Sequence, residues 1–212
     1  MAERLEKVCG VLLAGGQSRR MGGGDKALRE LNGQTLLARI RERAAPQVDR
    51  LVINANGDPA RFDGHGLPVT PDVIEGHAGP LAGVLTGMEW AADNAPDCRW
   101  IATFACDAPF FPPDIVDCLL RAVDREDADL ACAASQGRSH PVFGLWPVRL
   151  RDDLRAAVVD EEIRKVDVWT ARHRLTTVDF PLIDTPTGSL DPFFNTNHPD
   201  DLAEAARVLS AA

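Results

Sequence analysis

Residues 8–26, VCGVLLAGGQSRRMGGGDK, constrain the fold more than any other stretch of the chain. Val8 to Ala14 form a short apolar run whose length and composition suit a strand buried on both faces. The run stops at Gly15 and Gly16, where a loop begins that carries Ser18, Arg19, Arg20 and Lys26, with further glycines at 22–24. Glycine lets backbone N–H groups approach a ligand closely, and the arginines and lysine add cationic donors. The combination suits a polyphosphate; the competing reading is a flexible loop with solvated charges. Ala27 and Leu28 then lead towards a helical pattern.

Commoner glycine-loop chemistries do not fit. A P-loop needs glycine before its lysine and a hydroxyl after it, whereas Lys26 stands between Asp25 and Ala27. A dinucleotide fingerprint placed on Gly22, Gly24 and Ala27 begins well beyond the apparent strand end. A nucleophile elbow fails because Gly16-Gln17-Ser18 is followed by Arg19 and Arg20.

The 212 residues, 45% of them apolar, suit one domain spanning 1–212 around a sizeable core. A net charge of −9 argues against a broad nucleic-acid surface, so the cations at 19, 20 and 26 stand out as a pocket for a small anion. The apolar run near the N-terminus is too short for a secretory signal and no stretch approaches a membrane span, so the expectation is a cytoplasmic protein without membrane contact. Five cysteines without a C-x-x-C pair are read as reduced thiols, with neither disulfide nor zinc.

Taken in order, the chain alternates strand and helix signals. A helix is expected over Thr35 to Ala45, closed by Pro46, and a strand at Leu51 to Ile53. Asn54 follows at the strand's carboxyl end, where open α/β sheets bind ligands, although asparagine near glycine also forms turns. A surface loop at 57–66 precedes a short edge strand ending near Pro71-Asp72. Gly76 to Gly83 is a second glycine-rich turn, read either as a loop before an amphipathic helix or as a second close approach to ligand. Trp100 to Ala105 is a strongly apolar strand ending in Cys106-Asp107-Ala108-Pro109. Asp107 can either start a turn or help hold Mg²⁺, a cation that takes one or two carboxylates plus substrate phosphates. A helix from Pro113-Asp114, a hairpin of Asp129–Ser135 with Val142–Trp146, a helix over Leu150–Val158 and a late strand at Leu175–Phe180 follow. His140 has no partner spaced for a metal and is read as structural or substrate-facing. The charged piece 161–166 is read as solvated surface, 183–192 as loop, and a final helix starts at Pro199.

In this order LAGGQSRRMGGGDKAL (13–28), NAN (54–56), GPLAG (79–83), CDAPF (106–110), HPVFGLW (140–146) and FNTNHPDDL (194–202) resemble the molybdenum cofactor guanylyltransferases over almost the whole chain. The resemblance implies a three-layer Rossmann-like α/β fold with a mostly parallel central sheet, of the glycosyltransferase-A-like nucleotidyltransferase kind. It implies transfer of GMP from GTP to the terminal phosphate of molybdenum-loaded molybdopterin, with Mg²⁺ as cofactor and pyrophosphate released. Molybdoenzyme chaperones or other cofactor-biosynthesis proteins are the implied partners. By the same resemblance Leu13, Ala14, Gly15, Gly16, Gly22, Lys26, Asn54, Asp72 and Asp107 meet GTP, with Asp107 also on the metal. Arg19, Lys26 and Asp107 are the implied catalytic residues, and Gly79, Gly83, Asn195 and Asn197 the implied pterin side. Arg164-Lys165 resembles a basic pair near that side. One departure is His198 before Pro199, where the family has threonine, a better helix cap.

Three rivals are set against this reading. A cytidylyltransferase shares the opening loop, although LAGG rather than an alanine-rich turn leans towards guanine. A GTP-binding regulatory module lacks support from a Walker lysine or an N-K-x-D motif, and sugar-phosphate nucleotidyltransferases are often longer.

Overall fold

The computed structural model describes residues 6–15, 25–74, 79–186 and 188–211, the last of these by its backbone. In chain order the elements are β1 (Val8–Leu13), β2 (Glu30–Leu31), β3 (Gln34–Thr35), α1 (Leu36–Ala44), β4 (Arg50–Asn54), β5 (Val69–Thr70) and α2 (Pro80–Asn94). Then come β6 (Trp100–Ala105), α3 (Ile115–Glu126), β7 (Leu130–Ser135), β8 (Arg138–Pro147), α4 (Arg151–Val159) and α5 (Val166–Thr170). The chain closes with β9 (Leu175–Asp179), β10 (Ile183–Thr185), β11 (Gly188–Leu190) and α6 (Pro199–Ala211).

Seven strands form the central sheet in the order β5-β4-β1-β6-β8-β7-β9. Only β8 runs against its neighbours, so the sheet is mostly parallel, as the family resemblance implied. β1 lies between β4 and β6, and its alternating side chains divide the core. Val8 and Leu12 pack with Leu37 and Ile40 of α1 and Val116 and Leu119 of α3. Cys9 and Val11 pack on the other face with Leu81, Leu85 and Met88 of α2 and with Leu154 of α4. This two-sided burial explains the unbroken apolar run. A smaller cluster of Leu31, Leu36, Phe110, Leu190, Ala205 and Val208 seats α6 beside the β2–β3 hairpin.

Glycine sets how closely α2 approaches β1. A Cβ on Gly87 would lie 2.5 Å from Val11 Cγ2, and one on Gly83 2.6 Å from Leu13 Cδ2, so any larger residue would push the helix off the sheet.

The structure corrects three local readings. The helical pattern after Lys26 is a single 3-10 turn, Lys26–Leu28, and the chain then turns back as β2–β3. Asn32 and Gly33 take φ of 50° and 75°, the left-handed pair that a tight hairpin requires, and this local signal outweighs the short helical pattern. Residues 183–192 are not plain loop, because β10 and β11 pair antiparallel within them. Beyond the solvated charges at 161–165, Val166 is buried and begins the short helix α5, anchored by the buried indole of Trp169. Among the described residues, no helix is long and apolar enough to cross a membrane.

Candidate active site

The carboxyl ends of β1, β4 and β6 lie side by side and open onto a cleft of about 400 Å³. Backbone bonds carry the strand order to its lip: Ala14 N donates to Asn54 O at 2.9 Å and Cys106 N to Leu13 O at 3.3 Å. Leu13, Ala14 and Gly15 thus form its floor from β1, Asn54 from β4, and Cys106 and Asp107 from β6. The N-terminus of α2 closes one side with Gly79, Pro80 and Gly83. Gly79 has a φ of 74°, a conformation that glycine adopts without strain, and it turns the chain into the helix. The positive end of the helix dipole is directed at the cleft, which favours an anion there.

Lys26 bridges elements far apart in the chain. Its Nζ donates to Asp107 Oδ2 at 2.6 Å and to Asn197 Oδ1 at 2.5 Å, and its side chain is only 12% exposed. The β6 tip also holds the segment that bears Asn195 and Asn197. Thr196 donates to the Asp107 carbonyl through its N–H at 2.8 Å and its hydroxyl at 3.0 Å. One residue thereby presents a carboxylate to the cleft and fixes the neighbouring strip by its backbone.

Asp72 is held in place by two amides. Asn54 Nδ2 donates to its Oδ1 at 2.9 Å and Asn56 Nδ2 to its Oδ2 at 2.8 Å, while Asp72 N donates back to Asn56 Oδ1 at 2.8 Å. Arg61 secures this rim, pairing with Asp25 at 3.1 Å and donating to the Asn56 carbonyl. Burial pushes the Cys106 thiol well above the usual thiol range, so the only cysteine lining the cleft among the described residues stays protonated.

Leu13, Ala14, Gly15, Lys26, Asn54, Asp72, Gly79, Gly83, Asp107 and Asn195 all line this one cleft, and Asn197 touches it through Lys26. Gly16, Arg19 and Gly22 lie outside the described residues. The sequence reading did not single out Asn56, although its place two residues after Asn54 was a signal: period-two alternation returns both side chains to one side of the strand end. Gly83 carries a packing role besides lining the cleft, because a Cβ there would lie 2.7 Å from Asn54 Oδ1. Asp201 answers the weak cap expected at His198: its Oδ2 accepts the N–H groups of Asn197 at 2.9 Å and His198 at 2.7 Å, which satisfies donors at the start of α6.

Among the described residues, no three His, Cys, Asp or Glu side chains gather as a metal cage. Of the two cleft carboxylates, Asp72 is held by the Asn54 and Asn56 amides, whereas Asp107 has Lys26 on Oδ2 and no hydrogen bond to Oδ1 among the described residues. That donor set fits a hard cation held mainly by substrate phosphates and water.

A parallel-stranded α/β fold with a phosphate-suited cleft at its strand tips defines a nucleotide-handling class, and residues 10–185 match the family model described as the MobA-like NTP transferase domain. Within that class the chain belongs to the molybdenum cofactor guanylyltransferases. It is 55% identical over 201 residues to the molybdenum cofactor guanylyltransferase of Bradyrhizobium sp. (strain ORS 278), covering 95% of this chain and 92% of that one. It is 54% identical to the protein of that name from Rhodopseudomonas palustris (strain BisB5), covering 93% and 92% of the two chains. Among solved structures, molybdopterin-guanine dinucleotide biosynthesis protein A from Archaeoglobus fulgidus shares the fold, with a TM-score of 0.72 at 23% identity over 96% of this chain and all of the other.

Proposed function

We propose that the protein transfers GMP from GTP to the terminal phosphate of molybdenum-loaded molybdopterin, forming the guanine dinucleotide cofactor and releasing pyrophosphate. The observation that carries this reading is Lys26, whose ammonium lies between Asp107 at the β6 tip and Asn197 on the adjoining strip. Donor and acceptor are both anionic, and the acceptor phosphate supplies the nucleophile, so the reaction needs no attacking side chain. The site's task is to bring two anions together and to stabilise charge gathering on the leaving pyrophosphate. Lys26, the N-terminus of α2 and the chain at Ala14 and Gly15 line the cleft and suit that work, and Arg19 is assigned to it by family membership. Asp107 would hold Mg²⁺, whose chemistry here is to neutralise phosphate charge.

Base selection falls to the rim around Asp72. Each of its carboxylate oxygens receives one amide from Asn54 or Asn56 and keeps a second acceptor direction. A fixed acceptor suits the N1–H and N2–H donors of guanine better than the single exocyclic donor of cytosine. Gly79, Gly83, Asn195 and Asn197 form the pterin side in this reading, with product passed in the cytoplasm to molybdoenzyme chaperones or other cofactor-biosynthesis proteins. Turnover of Lys26→Ala and Asp107→Ala tests these assignments. Each is expected to lose about 10²- to 10³-fold in kcat, the scale of losing one preorganised charge-stabilising group; near-normal turnover in either removes the role given to that residue.

A further inference from the structure

Ser135, His140 and Asp191 meet at the carboxyl end of β7, on the sheet edge that also carries Asp107. Ser135 Oγ lies 2.9 Å from each Asp191 carboxylate oxygen and 2.7 Å from His140 Nε2. A carboxylate only accepts, so the serine hydrogen goes to Asp191, and His140 Nε2 carries the hydrogen that Ser135 accepts. This is no nucleophilic triad. The serine is wholly buried, its hydrogen is directed at the carboxylate, and His140 stands 3.9 Å from Asp191.

The cluster acts on the chain that follows it. Asp191 Oδ1 also accepts the Phe193 N–H at 2.8 Å, and its carbonyl accepts the Phe194 N–H at 3.0 Å. The His140 ring packs on Phe193 at a centroid distance of 4.5 Å, and Phe193 is wedged against Phe143 at 4.9 Å and Phe180 at 5.8 Å. Two residues beyond Phe194, Thr196 hooks onto the Asp107 carbonyl, and Asn197 receives Lys26. The strip is therefore anchored at one end by the buried cluster and at the other by the active site.

We infer that Ser135, His140 and Asp191 form a positioning cluster that sets Asn195 and Asn197 in place for the acceptor substrate. The inference rests on the reading that Asn195 faces that acceptor. The test compares wild type, Asn195→Ala, Ser135→Ala, His140→Ala and His140→Gln, measuring KM for molybdenum-loaded molybdopterin alongside Kd for GTP. Asn195→Ala is expected to raise the acceptor KM. Ser135→Ala and His140→Ala are expected to raise it about tenfold, with GTP affinity held within about twofold. His140→Gln returns most of the loss, because its amide nitrogen reaches the Nε2 position and donates to Ser135. Should His140→Ala fail to fold, Ser135→Ala carries the comparison. A raised KM in Asn195→Ala with wild-type KM in Ser135→Ala and His140→Ala overturns the positioning role alone, as does a His140→Gln KM no better than that of His140→Ala or a GTP Kd that rises in step. An unchanged KM in Asn195→Ala removes the reading beneath it and the inference with it.

Discussion

Asn56 carries more of the cleft rim around Asp72 than its neighbours in sequence suggest. It holds Asp72 by a reciprocal pair of bonds, its amide to the carboxylate and the Asp72 N–H to its carbonyl. Asn56 is exposed, so water takes over part of these bonds and their loss costs about 0.5–1.5 kcal/mol. Asn56→Ala is therefore expected to raise the KM for GTP several-fold with little change in kcat, measured by steady-state pyrophosphate release; an unchanged KM would show that Asn54 alone suffices to hold Asp72. At this scale much was legible. Lys26 and Asp107 stood out in sequence because a cation in a glycine loop and an acid at an apolar strand's end are chemically marked. Asn56 was not, because asparagine before glycine reads equally as a turn, and only the distance to Asp72 separates the two roles.

Among elements, α2 shows how packing and site are joined. It is buried along most of its length, and Gly83 lets its first turns meet both Leu13 and Asn54. Gly83→Ala places a methyl within 2.6 Å of Leu13 Cδ2 and 2.7 Å of Asn54 Oδ1, so the helix must shift. The expected cost is about 1–3 kcal/mol, seen as a fall of several degrees in Tm together with weaker GTP binding; a wild-type melt and wild-type affinity would show that the helix yields freely. Asp201→Ala removes the acceptor for two N–H groups at the start of α6. It should cost about 1 kcal/mol, or about 2–4 °C in Tm for a chain of this size. An unchanged melt would mean that water satisfies those groups equally well. The major strands and helices were legible from apolar runs of the right period. The β2–β3 and β10–β11 hairpins were not, since strands of two or three residues carry too little alternation to register, although the Asn32-Gly33 turn was there to be read.

The whole molecule gathers the candidate site residues at one sheet edge. Strand tips from β1, β4 and β6 bring together residues from the first half of the chain, and the strip after β11, close to its end, completes the cleft by reaching Asp107. That long-range closure was invisible to local sequence patterns and entered the sequence reading only through family resemblance. It also bears on the metal. With one carboxylate at the β6 tip and no three-ligand cage among the described residues, Mg²⁺ is expected to bind together with the nucleotide. Mg²⁺ alone should leave Tm unchanged, whereas GTP with Mg²⁺ should raise it and EDTA should reverse that rise; a rise with Mg²⁺ alone would reveal a preformed protein site.

The central claim is guanylyl transfer to a pterin phosphate, and pyrophosphate release tests it most directly when GTP, CTP and ATP are offered separately with Mg²⁺, each with and without molybdenum-loaded molybdopterin. Release is predicted with GTP plus the pterin and with no other combination. Release with CTP in place of GTP would contradict the base assignment at Asp72, and no release from folded, GTP-binding protein would contradict the transfer itself.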